Sequence, residues 1–411
     1  MSRLARALIA GTSAAILTSA ASFAEPTDRI ELDQQSSGPV RSQDAQTAGG
    51  VETAVSTALA QANSATGQVT SWTGVSGAQS LSGSVDAVSS VNVENAWSYV
   101  ISTAAAQGNA LTADADANVD LDLDQTASTG ARVSGLSALR IASYAGHTVQ
   151  GASAAANAVQ VSGGGDHDLR LAQESGAEVM ARADLDAADG EIETFAQGAQ
   201  AAGNALTAGG YGASPIADLD QSQSGTVAAE ARADIANADY GGAAASSAAG
   251  NTVMIQNDYG YAHAQGAQTN TGPVRATTTL NVADFGNGLV AGSANAAGNS
   301  ALVSNIGADA YTGLNQVNSG PVTAQVTFAG GIGGVGADSG AALSASAIGN
   351  AQSAYVCAEC PVSLDARIAQ TNSGPVAAGV NASHTGFVNA LTGSATAVGN
   401  VASFSSRTPG E

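Results

Sequence analysis

Ala294-Asn295-Ala296-Ala297-Gly298-Asn299 reads as small, any, small, any, small, Asn, and the same string occurs eight times along the chain. Its asparagine stands at Asn63, Asn109, Asn157, Asn204, Asn251, Asn299, Asn350 and Asn400, with successive gaps of 46, 48, 47, 47, 48, 51 and 50 residues. Alanine lies three residues before every one of them, and alanine or, once, Ser246 lies five before. Self-similarity at a fixed period of about 20–50 residues marks a solenoid or array, in which each copy buries its apolar face only against its neighbours.

A second landmark falls between the asparagines. It is clearest as Gln316-Val317-Asn318-Ser319-Gly320-Pro321-Val322 and Gln370-Thr371-Asn372-Ser373-Gly374-Pro375-Val376. The Ser/Thr-Gly-Pro step punctuates a turn, because proline fixes its own φ and suits the first position of a strand. The landmarks sit about half a repeat apart, which predicts two rungs per copy. Alternation such as Val274-x-Ala276 puts small apolar side chains on one face and polar ones on the other, as a half-buried strand requires. Ala152 to Ala158 is helical by propensity alone, but glycine and asparagine at fixed phase favour strand. The expected architecture is all-β, an elongated β-solenoid of about eight ~47-residue repeats with two rungs each. At about 4.8 Å per rung, sixteen rungs predict a rod about 75 Å long. Asn and Gln repeated at one rung position, including Gln316 and Gln370, are expected to stack as side-chain amide ladders, or else to serve as ordinary turn residues.

The chain opens with Arg3 and Arg6, a mostly apolar Leu8 to Leu17, and Ser22-Phe23-Ala24 before Glu25-Pro26. This order predicts a secretory signal peptide over 1–24 in helical form, a solenoid over 25–405 and a short tail over 406–411. No cysteine lies near the cleavage site to carry a lipid. Without the two leader arginines, 34 acids face 10 arginines, and there is no lysine. Nucleic acid is excluded as a partner, since phosphate binding needs clustered cations. Aromatic residues make up only 4% of the chain, so the core is expected to be thin and built from small side chains.

Motifs that carry chemistry elsewhere are weak here. Gly331-Ile332-Gly333-Gly334-Val335-Gly336 matches a GxGxxG string without a following helix or acidic partner, and reads as a loop. Cys357 and Cys360, the only cysteines, are expected to form a local disulfide in a loop inserted between rungs. Asp114, Asp116, Asp120, Asp122 and Asp124 alternate as if along one strand and predict an acidic outer strip, which reads first as a solvated guard against edge pairing and only second as a calcium site. His147, His167, His263 and His384 keep no common phase, and no Ser-His-Asp or Cys-His spacing recurs. The expectation is no catalytic residue, no metal and no cofactor.

The Gly298-Asn299-Ser300-Ala301 and Gln370-Thr371-Asn372-Ser373-Gly374 landmarks resemble the Gln/Asn-Gly repeat of curlin. Within that group, the length, acidity, leader and eight degenerate repeats resemble the HfaD-type holdfast anchor proteins of stalked alphaproteobacteria over almost the whole mature chain. The resemblance implies export through a curli-type outer-membrane pore to the cell surface. It also implies holdfast polysaccharide and other holdfast anchor proteins as partners, with self-association allowed. The rival readings are a curlin-like amyloid fibre subunit and a β-helix enzyme that degrades polysaccharide.

Overall fold

The computed structural model describes residues 28–286, 288–332, 340–357, 362–386 and 388–407. The expected signal peptide, Cys360, and most of the GxGxxG string lie outside the described residues. Within them the chain is a parallel β-solenoid of eight coils, without helix. Coils one to four each consist of a nine-residue strand and a long one: Asp28–Ser36 with Val40–Val69, Thr73–Leu81 with Ser84–Ala115, Val119–Ala127 with Arg132–Ser162, and His167–Ser175 with Glu178–Gly209. In coils five to seven the long strand divides, as Val227–Ala238 and Gly241–Asp258 after Pro215–Gln223. The eighth ends in Val376–His384 and Ala390–Arg407. The Ala152 to Ala158 run is strand.

One copy makes one coil, and this corrects the expected two rungs. Asn63 pairs with Asn109, and Val40 with Val85, a whole copy away; Asp28 likewise pairs with Thr73. The two landmarks occupy different walls of a single coil. At about 4.8 Å per step, eight coils stack to roughly 35–40 Å, half the expected length.

The valine after each Gly landmark forms one aligned column, Val40, Val85, Val133, Val179, Val227, Val274, Val322 and Val376. It faces the larger of two parallel cores, with Val93, Ile141, Ile235 and Leu280. A smaller core lies between the short strands and the last stretch of each long one, where Leu121 and Leu123 meet Leu111 and Val159.

The Asn motif is where the strand passes from one core to the other. Inward residues run Ala54, Ser56, Ala58, Ala60, Ala62, and then the neighbour Asn63 is buried too, so that parity shifts by one. The same double burial occurs at Gly203-Asn204 and Gly298-Asn299. Side chains on a strand alternate faces, so a one-residue slip turns the following side chains to the opposite side. The residue before Asn drops out of the pairing, as where Gln61↔Gln107 is followed by Asn63↔Asn109. It must be small: a Cβ on Gly250 would stand 2.5 Å from the Gly298 carbonyl oxygen.

His167 is the exception in the smaller core. It is fully buried, neither ring nitrogen has a hydrogen-bond partner, and its neighbours in adjacent coils are Val119 and Pro215. Burial pushes its pKa below the ordinary 6.5, against a weaker upward pull from Asp166. The folded state therefore binds this proton less well than the unfolded chain, and stability present above pH 6.5 is lost as pH falls. His167→Val is expected to match or exceed wild-type stability at pH 7 and to flatten the loss between pH 7 and 5. Thermal melts across that range check it; parallel curves for the two chains would contradict it.

Candidate functional site

The eight motif asparagines form an unbroken chain of side-chain hydrogen bonds, each Nδ2 donating to the next Oδ1 at 2.7–2.8 Å. Each interior Nδ2 also donates across the waist to a carbonyl on the short strand that opens the next coil, as Asn204 does to Ser222 at 2.8 Å. On the facing short strands, Gln34, Gln79, Gln125, Gln173, Gln221, Gln268, Gln316 and Gln370 form a second ladder at 2.7–2.8 Å, with donation in the opposite direction along the stack. These glutamines reach back to the long strand, as Gln173 does to the Ala205 carbonyl at 3.2 Å. Two antiparallel rows of amides thus close the waist between the cores.

Sequence reading named only the last two glutamines of that row. Degenerate copies hide most of the others, since Gln79 is followed by Ser80-Leu81-Ser82, whereas Gln268 keeps Thr269-Asn270-Thr271-Gly272-Pro273. A third row, Asn270, Asn318 and Asn372, is bonded at 2.7 Å, and each member caps the carbonyl two residues on. In earlier coils the same place holds Leu81, Ala127 and Ser175. A polar seam also crosses the larger core through the hydroxyls of Ser56, Ser89, Ser102 and Ser137 at 2.7–2.8 Å.

The acidic strip is shorter than expected. Asp120, Asp122 and Asp124 do point outward from one strand, but Asp114 closes the preceding long strand and Asp116 lies in the turn between. Shallow open grooves run over this face, past Arg170 and Asp218. Among the described residues no three His, Cys, Asp or Glu side chains are grouped to hold a metal. Cys357 ends a strand. The histidines are not gathered: His263 stacks on Tyr311 at 4.4 Å, and His384 meets Phe285 at 6.1 Å.

One corner departs from this regularity. Between the two parts of the long strands, pairing slips at Val93/Asn95, Ala96/Tyr99, Arg140/Tyr144 and Ile235/Asn237. There Tyr144 donates to Glu193 at 2.6 Å, and His147 lies 2.8 Å from the Thr194 hydroxyl and 3.9 Å from Glu193. The bond to Glu193, with burial and the surrounding carboxylates, pushes Tyr144 up to about 12. Glu191 is raised above the usual carboxylate range, chiefly by the charge of Asp239, then by burial and by a bond to Asp239. Sequence reading missed this corner, because its members recur at no fixed phase.

The family model for holdfast attachment protein D matches residues 49–321, two-thirds of the chain. The chain belongs to the holdfast attachment protein D family. No curated protein and no solved structure matches it. The holdfast match runs from the first coil into the seventh. Membership gives the chain a role in holdfast attachment at the cell envelope.

Two outcomes test this geometry. Asn204→Ala leaves Asn251 Oδ1 and the Ser222 carbonyl without their donor inside the stack, and is expected to cost about 2–4 kcal/mol. Asn400→Ala, at the exposed end, is expected to cost less than half as much. Equal losses in denaturant titrations would contradict the ladder's role. For Glu191, a raised pKa means stability present below the ordinary 4.5 and lost as pH rises. Glu191→Gln is expected to melt above wild type at pH 7 and together with it at pH 4; a constant offset would contradict the charge repulsion.

Proposed function

We propose that this chain is a non-enzymatic surface anchor. It couples the holdfast adhesive polysaccharide to the outer face of the cell envelope, alongside other holdfast anchor proteins, after export through a curli-type outer-membrane pore. The observation that carries the reading is the family match over the coils. The architecture supports it physically. A stack whose interior is filled by alanine, valine and paired amides offers long outer walls and little enclosed space, which suits holding a polymer better than turning over a small substrate. Strong acidity without lysine keeps such a surface soluble and turns away anionic polymers.

A second reading, self-association into fibres, has its own observation. Among the described residues the last coil has no further strand paired to it, and Leu391, Val401 and Phe404 are exposed there; such an edge is a template for another strand.

A deletion strain is expected to shed its adhesive polysaccharide into the medium and lose surface attachment, and the full-length chain is expected to restore both. Polysaccharide that stays on the deletion strain would contradict the anchor. Sugar fragments released by purified protein would contradict the absence of catalysis. Thioflavin-positive fibres from purified protein would favour the second reading.

A further inference from the structure

The slipped corner gathers a large share of the chain's exposed aromatic surface. Trp97 and Tyr240 are 65% and 67% exposed, in a protein with two tryptophans and eight tyrosines. Trp97 is not loose: its ring edge sits over Gly50 of the coil before, where a Cβ would stand 3.0 Å from Cη2. Tyr99, beside it, packs on His147 with ring centroids 5.1 Å apart. Tyr240 is held by its backbone, whose N–H donates to the Glu193 carbonyl at 2.9 Å. Between the two exposed rings lie the carboxylates of Glu191 and Glu193 in coil four, with Asp239 beside Tyr240 in coil five, tied in place by Tyr144 and by each other. The order along the stack is ring, carboxylates, ring, from the Trp97 ring, which leans from coil two over coil one, to Tyr240 in coil five. Pairing slips of this kind re-aim side chains and gather beside binding sites.

We propose that this corner is a polysaccharide-binding strip. It takes a neutral or amino-sugar glycan laid along the solenoid axis, with Trp97 and Tyr240 as ring platforms and the three carboxylates as acceptors between them. The inference rests on the anchoring function and locates it. A ring face carries negative quadrupole density and attracts the C–H face of a pyranose or a sugar ammonium. Carboxylates accept hydrogen bonds from sugar hydroxyl or ammonium groups and repel uronate or sulfate. A coil step of about 4.8 Å is comparable with the length of one sugar ring, so the three to four steps from the Trp97 ring to Tyr240 span about three to four sugars. A protein partner is disfavoured by the surroundings. The residues beside Trp97 and the carboxylates are mostly small or polar, including Gly49, Glu94, Asn95, Ser98, Ser143 and Gly190, and the exposed aliphatic side chains near the rings, Val55, Val149 and Leu289, are single residues on separate coils, less than the aliphatic core a protein interface buries.

The test measures binding of the purified chain to a glucosamine hexamer, a cellulose hexamer and polygalacturonate. Wild type is expected to bind at least one of the first two and not the third. Trp97→Ala with Tyr240→Ala should weaken that binding at least tenfold, and Trp97→Tyr should largely keep it. Tyr211→Ala with Tyr259→Ala, an exposed pair at another corner, should change nothing. A strip variant that binds as wild type, a control pair that loses binding equally, or a preference for polygalacturonate overturns the proposal. Complemented cells separate the two levels. Wild type that retains polysaccharide on cells, with the strip variant equal to it, overturns the strip alone; wild type that retains none overturns anchoring as well.

Discussion

A buried side-chain amide must find partners inside the protein, and in the two waist ladders the partner of each amide is its own equivalent one copy away. Leaving such a group unpaired costs about 1–3 kcal/mol, so Asn109 or Gln125 can be fully buried only while the coils above and below keep register. A slip of one coil by one residue would strand two rows of amides at once. Register therefore rests less on the size of the apolar side chains, which are mostly alanine and valine, than on the two rows that meet at the waist. The same asparagine marks where the strand changes parity, so one residue per copy both pins the stack and divides it into two thin cores.

Because the interior does this work with small residues, the outer walls are free to differ from coil to coil. One wall carries Asp120, Asp122 and Asp124. Another is free of charge along a whole row, from Thr57 and Thr103 through Gly151 to Ser394. The slipped corner combines exposed rings with interlocked carboxylates. The division of labour between waist and walls gives a stiff body with a graded surface, which is what the proposed attachment to a polymer would use.

The repeat, its strand character and the asparagine column were legible in the sequence because each depends on one residue type at one phase. The number of rungs was not. Two landmarks half a copy apart look like two rungs, yet pairing depends on which residues share a wall, and Gln34 meets Gln79 and not the asparagine between them. Most of the glutamine row escaped notice because its flanking turn residues vary. The corner escaped because insertions of differing length in successive copies bring Trp97, Tyr144, Glu191 and Tyr240 together out of phase. His167 was seen only as a stray histidine, since nothing local distinguishes an exposed from an inward position in so small a core.

The distance between spin labels at positions 57 and 394 tests the one-copy-per-coil stack most directly. Thr57 and Ser394 lie on one outward row, seven coil steps apart. In a chain with Cys357 and Cys360 replaced by serine, pulsed dipolar spectroscopy on Thr57→Cys/Ser394→Cys is predicted to give one narrow distribution near 34 Å, at about 4.8 Å per step. A distribution centred near twice that distance, or one too broad to assign to a fixed stack, would contradict the register on which the ladders depend.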